Sequence, residues 1–170
     1  KAHPQDDMGK ALIAEVVGFS WSSAANERFT FLPGYDMELA GLLVAGSDIW
    51  LNNPIRPREA SGTSGEKAAL NGGLNCSILD GWWAEMYDGA NGWAISSSDE
   101  DDQELRDDAE ATSLFDTLGS ILEMYHGDRL SFHGRIRHAW RTLGPRVTAA
   151  RMVRDYTTEV YDPSLARTRS

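Results

Sequence analysis

Ser47-Asp48-Ile49-Trp50-Leu51, a proline-rich turn, Ser61-Gly62-Thr63-Ser64-Gly65-Glu66-Lys67-Ala68-Ala69-Leu70-Asn71-Gly72-Gly73, then Leu74-Asn75-Cys76-Ser77-Ile78-Leu79: this stretch sets the fold class. Its first and last pieces are short, apolar and rich in β-formers, as strands are. Asn52-Asn53-Pro54-Ile55-Arg56-Pro57 between them is a loop, because prolines so close together suit neither helix nor central strand. Residues 61–71 read as a glycine-rich turn that opens a helix, closed by Gly72-Gly73. Strands and helices alternate, which predicts an α/β layer with a parallel sheet.

The pattern continues on both sides. Upstream, Asp6 and Asp7 precede a helical run in which Leu12, Val16 and Phe19 recur at helical spacing. Arg28-Phe29-Thr30-Phe31-Leu32 reads as a strand broken by Pro33-Gly34, and residues 36–45 as a short apolar helix. Downstream, residues 80–89 read as an aromatic-rich loop and Gly92-Trp93-Ala94-Ile95 as an edge strand. Leu114, Leu118, Ile121 and Tyr125 mark one face of a helix. Two more helices follow, at 132–143 and 147–161, split by Gly144-Pro145. The expected division is a partial Rossmann-like domain over residues 1–125 and a helical segment over residues 126–170.

Composition narrows the function classes. The chain has 170 residues, 41% hydrophobic and 25% charged, enough for one domain with a sizeable core. No apolar run approaches the roughly 20 residues of a membrane helix, and no secretory signal opens the chain. A single cysteine, Cys76, excludes an internal disulfide and fits a reducing, cytoplasmic compartment. The net charge of −10 argues against nucleic-acid and anionic-membrane binding. Residues 1–125 carry 7 Lys and Arg against 22 Asp and Glu, while residues 126–170 carry 9 Arg against 4 acids. The basic tail reads as helices whose arginines face water or an acidic partner surface. The run 96–110 holds eight carboxylates and one base, Arg106, and reads as a solvated lead into a helix N-terminus. It has no Asp/Asn-Gly calcium-loop pattern. His133 and His138 are five apart and share no helix face, so no metal site is expected. Trp82 and Trp83 have flat faces suited to sugar rings, and equally to packing within their loop.

Residues 59–72 carry the chemistry. Small residues let the backbone approach a ligand closely. Free N–H groups at a helix start, with the helix dipole, make an anion site. Ser61, Thr63 and Ser64 add hydroxyls, and Lys67 lies in the first turn or so of the helix, where it is able to form a Schiff base. A P-loop is excluded: Gly65 is followed by Glu66, Lys67 and Ala68, so no hydroxyl stands ready for magnesium. A capped helix with a solvent lysine accounts for the same residues.

Glu59-Ala60-Ser61-Gly62-Thr63 followed by Lys67 and Leu70-Asn71-Gly72 resembles the pyridoxal-phosphate segment of the α-glucan phosphorylases. Lys1-Ala2-His3-Pro4, Leu32-Pro33-Gly34-Tyr35-Asp36-Met37 and Asp48-Ile49-Trp50-Leu51-Asn52 are similar to that family's short bacterial branch. So are Leu79-Asp80-Gly81-Trp82-Trp83-Ala84-Glu85, Tyr87-Asp88-Gly89, Asn91-Gly92-Trp93, Trp140, Thr142-Leu143-Gly144-Pro145-Arg146 and Arg151-Met152-Val153. The likeness covers most of residues 1–162.

The resemblance implies a Rossmann-like parallel sheet, the carboxy-terminal half of a two-domain GT-B glycosyltransferase, followed by carboxy-terminal helices. It implies pyridoxal 5'-phosphate on Lys67, its phosphate held by the backbone of Thr63 and Ser64, and Tyr35 lining the pocket. It assigns Glu59, with the backbone of Ala60, Ser61 and Gly62, to the sugar, and makes Lys67 and Glu59 the catalytic pair. The reaction implied is retaining phosphorolysis of an α-1,4-glucan or maltodextrin by inorganic phosphate, giving glucose 1-phosphate. The family is known for allosteric enzymes.

Three departures stand out. Glu66 replaces an apolar residue, often Met, and the segment near 128–132 is shorter. The chain also starts beyond the family's upstream phosphate-binding Arg/Lys segment and without its amino-terminal domain. One wall does not position both reactants, so these residues alone are expected to show no turnover. The final helix would lack part of its cover, leaving Met152, Val153, Tyr156 and Val160 exposed, with self-association into a homo-oligomer or aggregate as the consequence. Two other readings remain: a nucleotide-sugar glycosyltransferase of the same architecture, and a non-catalytic remnant. The first expects two glutamates with seven residues between them; Glu59 meets Lys67 at that spacing, with Glu66 one residue early.

Overall fold

The computed structural model describes residues 2–22, 28–98, 100 and 102–163. The chain divides into two compact units, Lys1–Leu43 and Val44–Ser170.

The first unit holds α1 (Asp7–Ser20) and most of α2 (Met37–Gly46). Asp6 caps α1 by accepting from the Gly9 amide at 2.8 Å, as its position ahead of the helical run predicts. Asp36 does the same for α2 through the Leu39 amide at 2.9 Å. Within α1 no residue is buried, and Phe19 makes an edge contact with Phe29 at 5.6 Å between ring centroids. The strand expected at residues 28–32 does not form. A β-former gains its stability from a neighbouring ladder, and this segment pairs with none among the described residues.

The second unit is built on a three-stranded parallel sheet in the order β1 (Ile49–Asn52), β2 (Leu74–Ile78), β3 (Gly92–Ile95). Ile49 is in register with Leu74 and Asn75 with Gly92. The crossover from β1 to β2 carries α3 (Thr63–Leu70), and that from β2 to β3 carries α4 (Gly81–Met86). Every residue of β2 is buried, as in a parallel strand covered on both faces. Beyond β3 come α5 (Gln103–Gly127), α6 (Arg129–Leu143) and α7 (Ala149–Tyr156), the last continuing as a π-helical turn, Thr157–Tyr161.

The alternating α/β pattern and the parallel edge strand β3 are as the sequence predicts. The expected loop at residues 80–89 is instead helical over α4. Asp80 accepts from the Gly81 amide at 2.9 Å to start the turn, and Trp82, Trp83 and Met86 bury one face. Both tryptophans belong to the core rather than to an open sugar platform: Trp83 is fully buried and its Nε1 donates to the Trp93 carbonyl at 3.1 Å.

The core runs through Leu74, Ile78, Trp83, Ile95, Phe132 and Leu143. Helix α3 packs on β1, β2 and α6, whereas α6 also reaches β2 and β3. Cys76 sits in this core, and burial pushes its thiol up to about 11, which keeps it in the unreactive protonated form. Met152, Val153, Tyr156 and Val160 are exposed, as expected. Among the described residues no helix is long and apolar enough to cross a membrane, and no cluster of metal-ligating side chains is found.

Candidate functional site

Helix α3 begins where the chain is forced into a left-handed turn. Gly62 has φ +93°, a conformation that L side chains rarely adopt, and a Cβ there would lie 2.7 Å from the Trp82 ring. Gly65 is equally confined, since a Cβ would meet the Asn75 side-chain oxygen at 2.4 Å. Asn75, buried on β2, donates from Nδ2 to the Gly65 carbonyl at 3.0 Å. The Trp82 amide donates to the Ser61 carbonyl at 2.8 Å, and the Asp80 carboxylate takes the Glu59 amide at 2.8 Å. These contacts pin the turn 59–65 to the sheet and to α4.

The pinned turn leaves its ligand-facing groups open. The Gly65 amide donates to the Gly62 carbonyl at 3.1 Å. The Thr63 and Ser64 amides donate to no acceptor among the described residues. Lys67 is exposed, and its ammonium has no partner among them, although acids outnumber bases in the chain. The half-buried Glu66 carboxylate is unpaired in the same sense.

A cleft of about 400 Å³ lies over this face of α3. Its α3 wall is Thr63, Glu66, Lys67 and Leu70, brought to one side by helical spacing, with Ser61 from the turn ahead of the helix. Its other wall is the start of α7, with Thr148, Arg151 and Met152. Thr148 caps α7 by accepting from the Arg151 amide at 3.2 Å. The Arg151 guanidinium donates from Nε to the Arg146 carbonyl at 2.7 Å and from Nη1 to Asp155 at 3.1 Å.

The structure therefore gathers three of the sequence-derived candidates, Ser61, Thr63 and Lys67, into one cleft with Glu66. Ser64 contributes its amide at the helix start, while its hydroxyl accepts from Trp50 Nε1 at 3.3 Å. Glu59 is half-buried beside the turn: a Cβ on Gly62 would lie 3.1 Å from its carboxylate oxygen. Ala60 is exposed and Gly62 carries the left-handed turn. Tyr35 lies in the amino-terminal unit and is itself exposed. Sequence reasoning missed the α7 wall, since nothing local to Arg151 signals a neighbour in α3. It also set the tail arginines against solvent or an acidic partner. Arg135 instead donates to the Gly89 and Gly92 carbonyls at 3.0 and 2.7 Å and lies over the Trp93 ring.

Fold and cleft define an α/β protein with a lysine-lined cleft beside a helix start. Over almost its whole length the chain is homologous to a segment of the glycogen and maltodextrin phosphorylases. It is 53% identical to a glycogen phosphorylase of Mycobacterium tuberculosis over 96% of this chain and 20% of that protein. It is 39% identical to a maltodextrin phosphorylase of Thermococcus litoralis, over 98% of this chain and 20% of that protein. For a glycogen phosphorylase of Aquifex aeolicus the figures are 38%, 97% and 24%. The chain thus spans about a fifth of the length of the first relatives it matches. No family model matches the chain, and no solved structure gives a significant match.

Proposed function

We propose that the chain is the cofactor-binding, carboxy-terminal part of a pyridoxal-phosphate-dependent α-glucan phosphorylase. In this reading the architecture is GT-B. Residues 1–125 are the cofactor-binding portion, residues 126–170 the helical segment that follows, and the location is cytoplasmic. The observation that carries the reading is Lys67, an ammonium without a partner among the described residues, in a cleft lined also by Thr63 at the start of α3.

The residues present fit pyridoxal 5'-phosphate. Lys67 is an exposed primary amine able to hold the aldehyde carbon covalently. The Thr63 and Ser64 amides, aided by the α3 dipole, suit the phosphate. Tyr35 would line the same pocket. When bound, the cofactor supplies a phosphate group that works beside the substrate phosphate in proton transfer or charge stabilisation. Glu59 and the backbone of residues 60–62 would orient the glucan end by accepting from, and donating to, its sugar hydroxyls. The left-handed turn at Gly62, fixed by Trp82, holds those groups in place before substrate arrives. The substrates are then an α-1,4-glucan and inorganic phosphate, and the product is glucose 1-phosphate with retained configuration. A lysine stands where a nucleotide-sugar glycosyltransferase would need its second glutamate, so that reading is not favoured.

The test is covalent. The chain is incubated with pyridoxal phosphate, reduced with borohydride and mapped by mass spectrometry. An adduct at Lys67 is expected, and a map without it sinks the cofactor assignment. Phosphate-dependent release of glucose 1-phosphate from maltodextrin is expected of the longer protein and not of these 170 residues alone.

A further inference from the structure

We propose that Trp82 is a sugar-binding residue, its indole N–H donating to a hydroxyl whose own proton Glu59 accepts. This role rests on the reading above, in which the turn 59–62 meets the glucan end, and adds to it a donor from α4.

Trp82 is almost wholly buried, with 7% of its surface exposed. Its ring face belongs to the core and packs beside Trp83 at 5.1 Å between centroids. Its N–H edge is different. Trp83 donates its indole N–H to the Trp93 carbonyl, and Trp50 donates its own to the Ser64 hydroxyl. The Trp82 indole N–H has no partner among the described residues, and it is not sealed from solvent. A buried indole ordinarily pairs its N–H. An open one beside the turn marks a donor left for a ligand.

The Glu59 carboxylate borders the same space. A Cβ on Gly62 would lie 3.1 Å from Glu59 Oε1 and 3.2 Å from Trp82 Nε1, so the glycine leaves a gap flanked by both atoms. The carboxylate, too, has no partner among the described residues. A ligand oxygen just outside that gap would lie within hydrogen-bonding reach of the two. Their chemistry selects the group that oxygen belongs to. An ionised carboxylate only accepts, and an indole N–H only donates. A hydroxyl does both, so it satisfies the pair at once. A phosphate oxygen would be repelled by the carboxylate, and an ammonium has no lone pair for the indole. The pair is also fixed before a ligand arrives. The Trp82 amide holds the Ser61 carbonyl at 2.8 Å, and Asp80 holds the Glu59 amide at 2.8 Å.

The experiment follows the Trp82 indole N–H by proton–nitrogen NMR while the chain is titrated with D-glucose and its monodeoxy analogues. Trp82→Phe keeps an aromatic ring and removes the N–H, and circular dichroism checks its folding. Glucose is expected to move the Trp82 indole resonance together with the amides of residues 59–62. Trp82→Phe is expected to weaken glucose binding about three- to tenfold, the scale of one neutral hydrogen bond. One monodeoxy analogue is expected to bind the parent and Trp82→Phe alike, because the hydroxyl that Trp82 would hold is already gone. The indole shift is read in the parent chain, so it decides the question even if the variant does not fold. If glucose moves the amides of residues 59–62 but not the indole, or if Trp82→Phe weakens every analogue alike, Trp82 acts only through packing. The donor role is then overturned while the sugar reading stands. If glucose moves no resonance of residues 59–62 up to its solubility limit, the sugar reading and the donor role fall together.

Discussion

The start of α3 and the turn between α4 and β3 are both short, glycine-bearing and polar, yet they treat their polar groups in opposite ways. In the turn, almost everything is paired. Asp88 accepts from the Ala90 and Asn91 amides, and Asn91 Oδ1 accepts from the Asp88 amide in return. Asn91 Nδ2 donates to the Met86 carbonyl at 2.8 Å and to Thr142 on α6 at 3.3 Å. Arg135 holds the Gly89 and Gly92 carbonyls, and His138 holds the second Asp88 oxygen at 2.8 Å. At α3, two amides, one ammonium and one carboxylate are left without partners among the described residues. A buried polar group left unpaired destabilises a fold, whereas an exposed one waits for water or ligand. The difference teaches where the molecule spends its polar groups on stability and where it leaves them open for the proposed ligand.

Breaking the paired turn is expected to destabilise most. A Cβ on Gly92 would meet the Asn75 carbonyl of β2 at 2.5 Å and the Trp83 ring at 2.7 Å. Neither a central-strand backbone nor a fully buried tryptophan gives way easily. Gly92→Ala is therefore expected to lose about 3 kcal/mol in a urea melt, the upper range for overpacking. Asn91→Ala comes next. It removes a fully buried amide and strands the Met86 carbonyl and the Asp88 amide. A loss of about 2 kcal/mol is expected from the same melt.

A smaller effect belongs to Asp88. Partial burial alone would raise its pKa, but the Ala90 amide, the His138 ring and the Asn91 amide outweigh that, so it lies below the usual carboxylate value. A carboxylate lowered in the folded state adds stability above its unfolded pKa, and that stability is lost as pH falls through the folded value. Asp88→Asn is therefore expected to flatten the acid limb of stability, measured by urea melts from about pH 6 down to about pH 3. An unchanged acid limb would remove Asp88 from the set of groups that fix the turn.

How far each region was readable follows from the range of its contacts. The α3 start was legible because its signals are local: a glycine-rich turn, small residues, hydroxyls and a lysine close together in the chain. Strands β1 and β2 were legible for the same reason, as bounded apolar runs. The α7 wall was not, since Arg151 lies more than eighty residues beyond Lys67 and meets the cleft only through the fold. The turn's clasp was missed likewise, because Arg135 and His138 reach residues over forty positions away. Helix α4 was hidden by Gly81 and two adjacent tryptophans, a weak helix signature that burial against β2 overrides. Residues 28–32 show the converse, β-formers without a partner strand among the described residues.

The cleft itself offers the smallest effect on stability and the sharpest contrast. Lys67 and Glu66 have no partners to lose among the described residues, so Lys67→Met and Glu66→Met are each expected to stay within about 0.5 kcal/mol of the parent in a urea melt. Their effects on capture should diverge. Lys67→Met removes the amine and with it all borohydride-fixed pyridoxal phosphate at this position. Glu66→Met removes a negative charge from the cleft wall where, in the proposed reading, the cofactor phosphate would be held. At a solvent-open site that repulsion is screened and amounts to about 0.5–1 kcal/mol. Glu66→Met is therefore expected to strengthen pyridoxal phosphate capture about two- to fivefold, with pyridoxal unaffected. Equal strengthening of both aldehydes would place Glu66 against the amine instead. Loss of capture would show that the carboxylate serves the site rather than opposing it.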